Sequence, residues 1–239
     1  MKRLLLLSNS TNFGEPFLRY PIKRIQQFLG PNIGQVLFVP YAGVRLSFSD
    51  YAARVQERFR EIGISVASVH ETENPAVAVD SAAAIVVGGG NTFCLLDRLY
   101  AHGLVERIRE RVLQGVPYVG WSAGSNVAGP TIKTTNDMPI VEPPSLNALG
   151  LVPFQINPHY TDATVPNHGG ETRAERLMEF LEMNPAATVV GLREGTMLQV
   201  EGGKIELLGD KPARVFRKGK ELVEPAPGES LQLLFDSHQ

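Results

Sequence analysis

Short apolar segments separated by longer amphipathic stretches constrain the fold of this chain more than any other feature. The segments are nearly all hydrophobic rather than alternating, which is typical of parallel strands covered on both faces. They are Leu4–Leu7, Val36–Pro40, Ile64–Val69, Ala83–Val87, Val116–Gly120 and Val189–Leu192. Helical patterns occupy the stretches Phe48–Ile62, Leu104–Leu113 and Glu171–Leu181. This alternation indicates βαβ units and predicts an α/β fold with a doubly wound, mostly parallel sheet flanked by helices.

The C-terminal part of the chain has a different pattern. Its short segments Met197–Val200, Lys204–Leu208 and Arg214–Phe216 are separated by Gly202-Gly203 and Gly209-Asp210. Such turns predict β-hairpins, which we interpret as an edge extension of the same domain. The chain has 239 residues and contains no linker, low-complexity tract or internal repeat. We therefore expect one α/β domain over residues 1–239.

Composition limits which binding partners and which cellular compartment we expect for this chain. The formal net charge is -2 and no basic run is present, so neither nucleic acid nor an anionic membrane surface is expected as a partner. The apolar run after Arg3 ends at Ser8, which is too short for a signal peptide, and no segment approaches the ~18 apolar residues of a membrane span. The single cysteine, Cys94, fits a reducing compartment. We expect a cytoplasmic protein.

The segment Gly120-Trp121-Ser122-Ala123-Gly124 matches the G-x-S-x-G pattern of a nucleophile elbow. An apolar strand leads into it and a segment of small residues leads out, which is the strand-to-helix setting that the pattern requires. Small neighbours allow the hydroxyl of Ser122 to stand free, and the backbone N–H of Ala123 can donate to an oxyanion. The sequence therefore predicts a serine hydrolase with Ser122 as nucleophile.

A nucleophilic serine needs a base, and the chain contains five histidines. His159 follows the apolar segment Leu151–Ile156 and the Asn157-Pro158 turn, so we expect it at the rim of the sheet. The other histidines occupy a charged turn, a helix end, a Gly-rich loop and the C-terminal tail; they are His70, His102, His168 and His238. His159 is the best candidate for the base.

Two acidic residues are candidates for the third member of a triad. Glu194 comes just after the strand Val189–Leu192, at the sheet edge where the sites of such folds gather. Asp137 lies in a long irregular loop, where an Asx turn or a helix cap is the ordinary role of an aspartate. Either carboxylate could orient the imidazole of His159, and the spacing leaves both open.

A second glycine-rich turn, Gly88-Gly89-Gly90-Asn91-Thr92, also follows an apolar strand and opens a helical segment. Glycines let the backbone approach a ligand and aim N–H groups at an anion, so we expect this turn to supply a second oxyanion donor. The turn has the spacing of neither a dinucleotide fingerprint nor a Walker loop. No motif or side-chain cluster suggests a metal, and we expect none.

Five blocks of the sequence together carry a family resemblance. They are Leu5–Ser10, Val87–Phe93, Gly120–Gly124, Thr134–Val141 and Gln155–His159. In this order they closely resemble the peptidase E family, the α-aspartyl dipeptidases, which are serine peptidases with a class I glutamine amidotransferase-like fold. The resemblance extends from near residue 4 to beyond Glu194. It implies hydrolysis of Asp-X dipeptides, with a small peptide as partner and without a cofactor.

The resemblance also implies roles for the residues of the site. Ser122 would be the nucleophile and His159 the general base. Backbone N–H groups of Gly89 or Gly90 and of Ala123 would form the oxyanion hole.

Within the family, the third triad member has been assigned to residues matching both Asp137 and Glu194. We favour Glu194 on positional grounds and keep Asp137 as a site residue, with the hypothesis that one of these acids binds the free α-amino group of the substrate. The aspartate carboxylate of the substrate needs a cation, for which we choose Arg173 because a Gly-rich loop before a helix can reach over the site. The side chains of Asn91 and Thr92 are expected to add hydrogen bonds.

Other functions stay open at this point. A cyanophycinase-like enzyme of the same fold would cleave β-aspartyl linkages, and a non-catalytic module would bind an acidic metabolite without turnover. A glutamine amidotransferase is less favoured because the elbow carries Ser122 where those enzymes use cysteine. For the oligomeric state we expect a monomer or a homodimer.

Overall fold

The computed structural model describes residues 1–164 and 169–231, so His168 and His238 lie outside the described residues. Its strands are β1 (Arg3–Leu7), β2 (Gln35–Val39), β3 (Ser65–Ser68), β4 (Ile85–Val87), β5 (Tyr118–Trp121), β6 (Gln155–Tyr160), β7 (Thr188–Arg193), β8 (Met197–Glu201), β9 (Lys204–Leu208) and β10 (Arg214–Arg217). Its helices are α1 (Ile22–Leu29), α2 (Phe48–Arg60), α3 (Pro75–Ser81), α4 (Thr92–Ala101), α5 (Leu104–Leu113), α6 (Ala123–Asn126) and α7 (Arg173–Met183). None of the helices in the described ranges combines the length and the hydrophobicity that a membrane span requires.

The larger sheet has seven strands in the order β3-β2-β4-β5-β1-β8-β9. The first five are parallel, and the β8–β9 hairpin adds two antiparallel strands beside β1. This arrangement confirms the predicted α/β class with a mostly parallel sheet flanked by helices.

Strand β1 illustrates why an uninterrupted apolar segment becomes a central strand. Leu4 and Leu6 point into the core on one face of the sheet, and Leu5 and Leu7 point into the core on the other. All four side chains are fully buried. Because successive residues face opposite sides, a strand covered on both faces must be apolar at every position. Each buried leucine is worth roughly 1.5–3 kcal/mol of hydrophobic free energy.

A second sheet of three strands, in the order β10-β7-β6, departs from the sequence-based expectation. The segment Val189–Leu192, predicted in the doubly wound sheet, lies in β7 and pairs with β6 and β10 instead. The segment Arg214–Phe216 likewise belongs to this sheet. Helix α7 supplies Leu177 and Leu181 to a separate small core against it. The apolar pattern predicts the strands, but it carries no information on which sheet receives them.

Strand β6 also differs from the prediction, because Asn157-Pro158 continues the strand rather than forming a turn. The register shifts between the pairs Asn157–Gly191 and Tyr160–Arg193, so that β6 has one residue more than β7 over this stretch. This extra residue makes a β-bulge, a feature that re-aims a side chain next to it.

The carboxyl ends of the central strands β1, β4 and β5 lie side by side. Leu7 pairs with Trp121, and Val87 pairs with Gly120. The turns that follow these strands therefore meet at one edge of the larger sheet, where open α/β sheets bind their ligands.

Candidate active site

Ser122 occupies a strained turn between β5 and α6. Its φ is 52° and its ψ is -113°, and its backbone N–H donates to the carbonyl oxygen of Leu7 at 3.1 Å. A side chain on Gly124 could not be accommodated, because a Cβ there would lie 2.2 Å from the carbonyl oxygen of Val87. The turn therefore has the backbone of a nucleophile elbow.

Two side chains next to the elbow hold its backbone in place. The hydroxyl of Ser125 is buried between the carbonyl oxygens of Leu7, at 2.6 Å, and Gly120, at 2.8 Å. The hydroxyl of Tyr118 donates to the carbonyl oxygen of Gly124 at 2.6 Å. The contact with Leu7 could not be predicted from the local sequence pattern, because it depends on the neighbouring strand β1.

His159 lies within hydrogen-bond distance of Ser122. Its Nε2 atom is 3.0 Å from Oγ of Ser122. Its φ of 51° falls in the β-bulge of β6, and its backbone N–H donates to Oγ of Ser8 at 2.9 Å. The Ser8 hydroxyl is buried and in turn donates to the carbonyl oxygen of Leu192 at 2.8 Å. Ser8 thus connects β1 with β6 and β7 directly beside the imidazole.

Glu194 meets the other ring nitrogen of His159, with 2.7 Å between Oε1 and Nδ1. The turn after Glu194 is held by Asn9, whose Oδ1 accepts the backbone N–H of Gly195 at 2.9 Å. Burial raises the pKa of Tyr20, which hydrogen-bonds Asn9, and the charge of Glu194 raises it further. Hydroxyl, imidazole and carboxylate therefore form a hydrogen-bonded series of the kind that activates a serine.

Asp137 is not in contact with His159. Its Oδ2 accepts hydrogen bonds from the backbone N–H of Thr92 at 2.8 Å, from Oγ1 of Thr92 at 2.6 Å and from Oγ1 of Thr135 at 3.1 Å. These contacts attach the loop around Asp137 to the first turn of α4. Of the two acids that the sequence left open, the structure brings Glu194 to the imidazole.

Free backbone donors lie in the two turns beside Ser122. In the part of the chain that the structure describes, the N–H groups of Gly89, Gly90 and Ala123 have no hydrogen-bond partner. Gly90 has a φ of +139°, and a Cβ there would lie 2.2 Å from the carbonyl oxygen of Ala42. Such N–H groups at a tight turn and a helix start can stabilise an oxyanion.

A buried hydroxyl fixes the orientation of this second turn. Tyr51 donates to the carbonyl oxygen of Gly89 at 3.0 Å and accepts from Nε1 of Trp121 at 2.9 Å. Burial raises the pKa of Tyr51 to about 12, so that its hydroxyl stays protonated at neutral pH.

Ser122 and His159 open into a cavity of about 680 Å³, which we call the Ser122 cavity. Gly89, Gly90 and Asn91 also line it, whereas Thr92 and Arg173, both predicted to bind substrate, do not.

The side chains of these three predicted substrate-binding residues have other environments. Asn91 caps α4 through Cys94 and donates to the carbonyl oxygen of Met138. Thr92 is buried against Asp137. Arg173 begins α7 and is half-buried, which lowers the pKa of its guanidinium.

The sequence matches the model of the family described as Peptidase family S51 over residues 4–208. It is 50% identical over 235 residues to the protein named Peptidase E of Nostoc sp., and the alignment covers 98% of this chain and 97% of that protein. It is 48% identical over 232 residues to Peptidase E of Shewanella amazonensis, with coverage of 97% and 98%. The crystal structure of a peptidase from an acI-B1 Actinobacterium has a TM-score of 0.71 at 18% identity and covers 96% of each chain, which shows a shared fold.

Proposed function

Because the chain belongs to peptidase family S51, we propose that it is a serine dipeptidase that hydrolyses Asp-X dipeptides through an acyl-enzyme on Ser122. The observation that carries this function is the position of His159, with Nε2 at 3.0 Å from the Ser122 hydroxyl and Nδ1 at 2.7 Å from Glu194. The name Peptidase E of relatives at 50% and 48% identity supports the preference for an N-terminal aspartate.

In the proposed reaction, His159 takes the proton from the Ser122 hydroxyl as its oxygen attacks the carbonyl carbon of the dipeptide. Glu194 keeps the imidazole oriented and stabilises the imidazolium. The N–H groups of Gly90 and Ala123 stabilise the negative charge on the tetrahedral intermediate. His159 then protonates the leaving amine, and a water molecule, activated by the same imidazole, hydrolyses the ester on Ser122.

Recognition of the aspartyl residue requires a cation for its carboxylate and an anion for its ammonium group. We propose Arg173 for the carboxylate, since in the described part of the chain this guanidinium has no ion pair. We propose Asp137 for the ammonium group, because Glu194 is engaged with His159, the hydrogen bonds to the Asp137 carboxylate all fall on Oδ2, and the loop after Asp137 reaches the Ser122 cavity at Ile140.

We propose that residues 1–239 act as one domain, because Ser122 comes from the larger sheet and His159 and Glu194 from the smaller one. The single buried cysteine, Cys94, supports a cytoplasmic location, and the enzyme acts as a monomer or a homodimer.

The first test is release of free aspartate from Asp-Leu, with Ala-Leu and β-Asp-Leu as control substrates and Ser122→Ala as control enzyme. We expect turnover of Asp-Leu alone and its loss on substitution. Cleavage of β-Asp-Leu in place of Asp-Leu would support a β-aspartyl hydrolase instead. Absence of any turnover by folded protein, with aspartate still bound, would support a non-catalytic sensor.

A further inference from the structure

Two arginines that line the Ser122 cavity have no role in the proposed reaction. Arg45 and Arg54 line this cavity together with Ser122 and His159. Both arginines are exposed, and among the described residues no aspartate or glutamate side chain lines the same space. Neither guanidinium has a carboxylate within 4.0 Å in the residues that the structure describes. Two cations without anionic partners therefore line the same cavity as the candidate nucleophile.

Contacts from helix α4 and from the glycine-rich turn hold the backbone of the loop that carries Arg45. Arg98 donates through Nη1 to the carbonyl oxygens of Tyr41 and, at 2.8 Å, of Gly43. The backbone N–H of Asn91 donates to the carbonyl oxygen of Ala42 at 2.9 Å. These bonds tie the loop between β2 and α2 to the glycine-rich turn beside Ser122.

The second arginine of the cavity, Arg54, packs against Phe17. It projects from α2, and its guanidinium carbon lies 5.1 Å from the centroid of the Phe17 ring. Phe17 and Trp121 also line the cavity, so the guanidinium lies against an aromatic surface.

We propose that Arg45 and Arg54 form a subsite of the Ser122 cavity that binds a carboxylate of the dipeptide. The inference rests on the proposed function, because an Asp-X dipeptide carries two carboxylates and Arg173 accounts for one. The guanidinium fork binds a carboxylate through paired, charge-assisted hydrogen bonds. Because Arg173 is proposed for the aspartyl side chain, we expect this subsite to hold the C-terminal carboxylate, and the opposite assignment predicts different kinetics.

The test compares Asp-Leu with Asp-Leu amide, which lacks the terminal carboxylate, in the variant Arg45→Gln/Arg54→Gln. We expect KM for Asp-Leu to rise about 10- to 100-fold, as for the loss of charge-assisted hydrogen bonds. If the subsite holds the C-terminal carboxylate, the KM for the amide stays at the wild-type value. If it holds the aspartyl side chain, the KM for both substrates rises equally. Unchanged KM for both substrates would overturn the proposal.

Matched variants separate this subsite from general charge effects. Arg60→Gln removes an exposed arginine from the same helix, outside the cavity, and is expected to leave KM unchanged. Arg45→Lys/Arg54→Lys keeps both charges but loses the planar forks, so its KM is expected to lie between wild type and the glutamine variant.

A binding measurement tests the subsite independently of the proposed catalytic function. In Ser122→Ala protein, calorimetric titration with Asp-Leu does not depend on turnover. Weaker binding after the two arginine substitutions supports the subsite even if the wild-type protein releases no aspartate. Equal binding with and without the arginines overturns the subsite and leaves the proposed dipeptidase reaction untouched.

Discussion

Nδ1 of His159 lies 2.7 Å from Oε1 of Glu194, across the neighbouring parallel strands β6 and β7. The contact depends on the β-bulge of β6, which turns His159 to a φ of 51° between the two paired positions that flank it. A carboxylate in this place selects the imidazole tautomer that leaves Nε2 free to accept a proton from serine.

Glu194→Gln is expected to reduce kcat for Asp-Leu by roughly 10²- to 10⁴-fold, because an amide at this position no longer stabilises the imidazolium. KM should change little, since the carboxylate is proposed to act on His159 and not on the substrate. Steady-state kinetics with Asp-Leu measure both parameters, and wild-type kcat in this variant would contradict the role of Glu194.

Asp137→Asn should have a different kinetic signature. The substitution weakens three hydrogen bonds that join its loop to α4 and removes the charge proposed to bind the substrate ammonium group. We expect a higher KM with a smaller loss of kcat, and about 1 kcal/mol less stability from the weakened helix start. If Asp137→Asn and Glu194→Gln changed KM and kcat to the same extent, the two acids would not have separate roles.

Ser8→Ala is expected to lower both stability and kcat. The change removes the hydroxyl that accepts the backbone N–H of His159 and donates to the carbonyl oxygen of Leu192. Leaving such buried groups unpaired costs about 1–3 kcal/mol. Thermal unfolding and the pH profile of kcat/KM measure the two effects. The matched control is Ser81→Ala, at an exposed position of α3, and equal behaviour of both variants would refute a positioning role for Ser8.

Tyr51→Phe tests the support of the glycine-rich turn. The variant retains the buried ring but loses the hydrogen bond to the carbonyl oxygen of Gly89 and the acceptor for Trp121. We expect kcat to fall roughly tenfold, because a less fixed N–H of Gly90 stabilises the oxyanion less well, and KM to change less. Tyr100→Phe, which removes a hydroxyl bonded to Asn147, serves as the control. A kcat equal to that of the control would count against this role for Tyr51.

The stability contributed by Asp162 should depend on pH in a defined direction. A hydrogen bond from Arg193 lowers the pKa of Asp162 below its ordinary value of 3.8, and the charge of Arg214 acts in the same sense. Because the pKa of Asp162 is lower in the folded state, its ionised carboxylate stabilises the protein above pH 3.8. This stabilisation is lost as the pH falls through the lower pKa of the folded state. Asp162→Asn should therefore lower Tm at neutral pH. Its deficit should shrink as the pH falls through the lowered pKa of the folded state, where the wild-type carboxyl becomes protonated too. A deficit independent of pH would show that the charge of Asp162 is not responsible.

The sequence was most informative where function depends on residues directly after apolar strands. Ser122 and the turn containing Gly89 and Gly90 could be predicted because each follows such a strand. Parallel strands bring their carboxyl ends to one edge of a sheet. His159 was predicted by comparison with the other histidines, although the turn expected before it is part of strand β6.

The α/β class, the elbow and the candidate base could be predicted from the amino-acid sequence, because these depend on local apolar periodicity and on glycines at tight turns. The choice between Glu194 and Asp137 required the three-dimensional arrangement, since it depends on β7 lying beside β6 in a separate sheet. The roles of Ser8 and of the arginines of the Ser122 cavity also depend on the three-dimensional arrangement. Their roles come from contacts between segments far apart in the chain, which strand order and register establish and local patterns do not encode.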